Sequence, residues 1–193
     1  MPSKQATIPS MRRLTLCLVL ALSFSAFAQA PAPKPATLRS ILLEQLRSTQ
    51  NKAEWFVPAN TAVAGLTSDQ AIWIPAEAVG KTGEHSIGQL ANHLVFWNEQ
   101  TLAKLKGTKP AAFDGNNDET FNSFDTAAWT STVQRLDHVM TAIEDWVEHA
   151  SEAELAANAS TIAHIGTHNA YHIGQLLYVR KLQGTWNPAN GVK

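Results

Sequence analysis

The stretch from Thr161 to Gln183, TIAHIGTHNAYHIGQLLYVRKLQ, holds three histidines four residues apart: His164, His168 and His172. On an α-helix, residues i and i+4 stack one turn apart on the same face. Two imidazoles so placed reach a single ion, which is why paired histidines at this spacing recur in helical zinc sites. Ile165, Leu176 and Val179 form the apolar stripe of this helix, and His168 and His172 fall in line with it at steps of three and four. They therefore point at a core. The competing reading is a pair of packed histidines with ordinary hydrogen-bond partners, and a third ligand from elsewhere decides between the two.

That third candidate is His93, three residues after Leu90 and four before Trp97. Three neutral imidazoles on one divalent ion leave a position open, the arrangement of catalytic zinc sites. Such an ion brings bound water toward ionisation near neutrality and polarises carbonyl or phosphoryl oxygens. Zinc and nickel are the foremost expectations, although imidazole also suits copper and iron. No catalytic residue beyond the ligands is legible. Glu99 lies six positions after His93, about 120° off its face, and the 100° helical step turns Tyr171 away from both neighbours. His164, one turn above His168, is the one nearby candidate for a fourth ligand. His138 and His149 fall off the apolar stripe of their helix and read as solvated.

Four helices position these residues. The first carries Leu38, Leu42, Gln45, Leu46, Thr49, Ala53 and Phe56 at helical spacing, with Pro58 as its kink or restart. Residues 70–84 read as a connecting loop. The second opens with Ser86-x-x-Gln89, a capping-box pattern, carries Ile87, Leu90, Leu94, Trp97 and Thr101 on one stripe, and ends at Gly107. Asp125 is the expected N-cap of the third, where Trp129, Val133, Leu136, Met140, Ile143 and Val147 step 4-3-4-3-4. The fourth runs from about Ser160 to Gln183, stopped by Gly184 and Pro188, and a second capping-box pattern at Ser151 predicts one short turn before it. No period-two run is long enough for a strand. The expected fold is an all-α four-helix bundle. The link from Gly107 to Phe124 is long for a bundle, so it is expected to cross the bundle end and leave the second and third helices parallel. Asp114-x-Asn116-x-Asp118 within it is similar to the start of a calcium loop, but Glu119 stands where glycine is needed and Asp125 where glutamate is needed.

The chain has 193 residues and one cysteine. Lys4, Arg12 and Arg13, then apolar Leu14 to Ala26, then Ala26-Phe27-Ala28 read as a cleavable signal peptide over 1–28, with a retained anchor as the alternative. A Pro/Ala tether over 29–36, a bundle over 37–185 and a tail over 186–193 complete the expected organisation. The product would be periplasmic or secreted and free of membrane after cleavage. Cys17 lies inside the signal, so neither disulfide nor thiolate is available afterwards. Twelve Lys+Arg against sixteen Asp+Glu remain, a net charge of −4 with no basic stripe, which argues against a nucleic-acid partner. Phosphate loops, dinucleotide fingerprints and G-x-S-x-G elbows are absent from the sequence. The partner expected is a small molecule, with homodimer formation left open.

The stretches HSIGQLANHL from His85 to Leu94 and HNAYHIGQ from His168 to Gln175 make the chain resemble the DinB/YfiT-like superfamily over about residues 37 to 185. The resemblance implies up-down-down-up connectivity and a three-histidine divalent metal site, which maps onto His93, His168 and His172. It also implies kinship with thiol-dependent transferases and isomerases, whose cytosolic thiol cosubstrates do not suit an exported chain. Two functions follow from the sequence: a metal-dependent hydrolase or transferase, or a non-catalytic metal-binding bundle with a structural or sequestering role.

Overall fold

A computed structural model describes residues 35–79 and 84–191. The signal segment, most of the tether, residues 80–83 with both glycines of the expected 70–84 loop, and the last two residues lie outside the described residues. Seven α-helices are present among them: α1 (Leu38–Gln50), α2 (Ala59–Val63), α3 (Ser68–Ala71), α4 (Ile87–Leu105), α5 (Glu119–Asn122), α6 (Trp129–His149) and α7 (Glu152–Gln183). Four are long and form the bundle. Among the described residues there is no strand, and no helix is long and apolar enough to cross a membrane.

Side-chain partners fix the helix directions. Arg39 at the start of α1 donates to Val147 O, to Ala150 O (2.6 Å) and to Glu152 (2.7 Å), while Gln50 at its end donates to Thr141 Oγ1 (2.6 Å). Thus α1 runs against α6. Ile87, Leu90 and Leu94 from the first half of α4 share a core with Trp129, Leu136 and Met140 of α6 and with Ile173 and Leu176 of α7. Leu105 at the far end of α4 meets Ile143 and Val147 of α6 and Leu155, Ile162 and Ile165 of α7. So α4 and α6 are parallel and α7 is antiparallel to both, giving the expected up-down-down-up order.

Local chemistry sets the helix ends. Ser86 and Gln89 close the capping box on α4, with Ser86 N donating to Gln89 Oε1 at 2.9 Å. Gly184 ends α7 in the left-handed region (φ 75°), which glycine adopts without strain. Asp125 caps a short 3-10 turn that leads into α6.

Three expectations are corrected. The first helix stops at Gln50 and does not continue through Ala53 and Phe56, because Lys52, Ala53 and Glu54 are exposed and extending the helix would bury nothing. Ser151 does close a capping box, but it opens α7 itself, a single helix of 32 residues in place of a short turn followed by a helix from Ser160. The loop expected over 70–84 begins later, because α3 takes in Gln70 and Ala71 and is capped reciprocally by Thr67 and Gln70, whereas Pro58 does restart a helix, α2.

Two buried polar contacts hold the frame. Asn98 of α4 and Asn169 of α7 exchange side-chain amide hydrogen bonds at 2.7 and 3.1 Å, with no exposure at either residue. A buried amide pair satisfied in one alignment only fixes the register of α4 on α7. Arg180 is also buried, donating to Ala62 O (2.8 Å), Ala64 O (3.1 Å) and Thr185 O (3.1 Å), with its guanidinium 5.2 Å from the Trp186 ring centre. It satisfies the carbonyls at the end of α2 that have no partner within the helix.

Candidate metal centre

The Asn98–Asn169 register brings His93 of α4 opposite His168 and His172 on adjacent turns of α7. One ring nitrogen from each of the three lies within 4.8 Å of the others. The Nε2 atoms of His93 and His168 stand 3.0 Å apart, and the ring centres of His172 lie 4.5 and 4.6 Å from those of His93 and His168. His93 is 2 % exposed and His172 7 %.

Neighbours set the tautomers. Thr120 Oγ1 donates to Asn117 O (2.6 Å), which uses its single proton, so it accepts from His93 Nδ1 at 2.5 Å. Gln175 Nε2 donates to Tyr171 Oη (3.2 Å) and its Oε1 accepts from His172 Nδ1 at 2.6 Å. Both rings thereby carry their proton on Nδ1, and both Nε2 lone pairs are left to face inward. Nδ1 of His168 is buried without a hydrogen-bond partner among the described residues. Two nitrogens about 2.0–2.1 Å from a tetrahedral ion stand roughly 3.3 Å apart, close to the spacing of His93 and His168. Donor set, tautomers and spacing fit a divalent ion.

The rings resist protonation. Burial pushes His93 down to about 3, with His172, His168 and His85 adding repulsion. Burial and then His172 lower His168 to about 4. His172 is lowered by burial against the opposing hydrogen bond to Gln175. A histidine whose folded pKa lies below its unfolded value of 6.5 binds protons better when unfolded, so stability falls as pH drops below about 6.5. Metal-free protein is expected to lose about 2 kcal/mol through His93 alone between pH 7.5 and 5.0, read from urea unfolding midpoints. An unchanged midpoint would show that the triad is hydrated and titrates normally. The ligands remain neutral to lower pH than ordinary imidazoles, so proton competition for a bound ion begins below the value near 6 that free histidine predicts.

The triad forms the floor of a cleft of about 640 Å³, lined also by Trp97, Thr101, Asn117, Phe121, Thr161, His164, Ile165 and Tyr171. His164 is exposed and lines the cleft. Tyr171 is 65 % exposed yet packs its ring edge-on to His172 at 4.9 Å. Glu99 is outside the cleft, paired with Arg135 at 2.8 and 3.0 Å, and His138 and His149 are exposed as expected.

A model of the DinB superfamily matches residues 58–176, more than half of the chain and a span that contains all three histidines. The chain belongs to the DinB superfamily. No curated protein and no solved structure matches it.

Within this DinB chain the 107–124 link supplies more than a crossing. Its α5 buries Thr120 and Phe121 against α4, and Phe121 stacks on His93 with ring centres 3.8 Å apart. The link also packs tightly farther along, since a Cβ on Gly88 would stand 2.3 Å from the Phe124 ring. Asp114 and Asn116 use their side-chain oxygens on the backbone N–H groups of Asn116 and Asp118 (2.8 and 3.2 Å), as turn-forming residues do. Thr120 and Phe121 carried no sequence signal in a polar link. Gln175 did, three residues after His172 on the same helix, where i and i+3 meet.

Proposed function

We propose that this chain is an exported metal-dependent enzyme of the hydrolase or transferase type. His93, His168 and His172 would hold a divalent ion, zinc or nickel foremost, with an open position facing the cleft. The observation that carries this reading is three imidazoles, oriented by Thr120 and Gln175, at the floor of a cleft large enough for a small molecule. When bound, such an ion polarises a substrate oxygen or makes a bound nucleophile easier to ionise. Thr120 and Gln175 keep the ligating lone pairs aimed inward, and the buried Phe121 and Ile165 supply apolar lining beside the triad. The test is elemental analysis of protein purified without a histidine tag, followed by turnover screens on esters, amides and phosphoesters. One equivalent of metal and a turnover lost on chelation are expected.

A second reading is favoured by one observation: among the described residues lining the cleft there is no aspartate or glutamate to act as general base. In that reading the bundle binds metal for stability or sequestration. Full metal occupancy without turnover in any screen would select it.

Export rests on the basic n-region, apolar run and A-x-A order of the first 28 residues. Protein recovered from the periplasm or medium is expected to begin at Gln29 or Pro31 by intact mass; retention of Met1 would overturn the assignment.

A further inference from the structure

We infer that the cleft selects a small molecule with a flat, uncharged apolar body and a single anionic head group, and that Trp97 is the residue that sets the choice of body. The inference deepens the metal reading above and rests on it for the head group. Among the described residues lining the cleft there is no Asp, Glu, Lys or Arg. Three neutral imidazoles leave the charge of a divalent ion uncompensated by the protein, and a charge held out of water draws a counter-charge. A monoanionic head supplies one. A phosphate ester could match the ion's charge, but its remaining oxygens would find no guanidinium or ammonium among the described lining residues to hold them.

The walls fit the body. Trp97 is fixed before any ligand arrives: its Nε1–H donates to Asn117 Oδ1 (3.2 Å), and Phe96 and Phe113 hold its ring edge-on with centres 5.3 and 5.2 Å away. Phe121 is stacked between His85 and His93, with ring centres 3.9 and 3.8 Å distant, so it backs the triad and turns only its edge to the cleft. A rigid aromatic wall such as Trp97 loses little freedom on binding and favours a flat apolar partner.

Calorimetric titration of the zinc-loaded protein with four probes tests this: 4-phenylbutyrate, butyrate, 4-phenylbutan-1-ol and phenyl phosphate. 4-Phenylbutyrate should bind tightest, and removal of either ring or carboxylate should weaken binding roughly tenfold or more. Trp97→Ala should keep full zinc and lose the advantage of the ring. Equal affinity for butyrate and 4-phenylbutyrate, or tightest binding of phenyl phosphate, overturns the inference. So does a Trp97→Ala protein with zinc and ring preference both intact; should that variant unfold, the wild-type probe series decides alone. If wild-type protein takes up no zinc, the metal reading and the head-group half fall. The apolar half is then read on metal-free protein, where 4-phenylbutan-1-ol must still bind more tightly than 1-butanol.

Discussion

His168→Ala and His172→Ala proteins are expected to lose stoichiometric metal, whereas His164→Ala keeps the wild-type content. Each of the first two removes one of three ring nitrogens clustered within 4.8 Å, and two imidazoles do not retain a divalent ion through purification as three do. His164 is exposed and outside that cluster, so its loss changes the cleft wall and leaves the ligand set complete. Thr120→Val gives a graded control. It preserves shape but leaves His93 Nδ1–H without its acceptor, and loss of such an orienting partner typically weakens metal binding by about 10–100-fold. The measurement is elemental analysis of folded protein, with helicity confirmed by circular dichroism. Metal lost in His164→Ala but kept in His172→Ala would mean the wrong pair was assigned. Metal absent from the wild type as well would leave a plain packed triad.

The second large effect is on stability. Arg180→Met is expected to cost about 3–5 kcal/mol, because it removes the donor to Ala62 O and Ala64 O and leaves these carbonyls unmatched. The loss should appear as a urea midpoint shift with an unchanged slope, and as a melting temperature lower by roughly 10 °C. A cost below about 1 kcal/mol would mean that water replaces the guanidinium at the end of α2.

Much of this was legible in the sequence because it was periodic. The 4-3-4-3-4 run from Trp129 to Val147 defined α6, and all but Val133 of its six residues are buried. Ser86 and Gln89 marked the start of α4 within a residue. His93, His168 and His172 lay on inward faces of two antiparallel helices, so the fold could bring them together once the register was set. That register depends on Asn98 and Asn169, two polar residues whose value is visible only when they meet. α1 was overextended because Ala53 and Phe56 kept the helical spacing, yet the polar residues around them had no core to cover. Thr120 and Phe121 were hidden for the opposite reason: a link without periodicity gives no sign of which residues turn inward.

The contacts that close the bundle have a temporal consequence. Arg39 binds carbonyls more than a hundred residues later, and Arg180 binds carbonyls more than a hundred residues earlier. Such distant pairings form late, because their loops must close before the contacts repay the lost chain entropy. A nascent chain therefore cannot lock this structure until Arg180, close to the end of α7, has been synthesised. If the proposed export takes an unfolded chain, the delay would keep it threadable until α7 has been made.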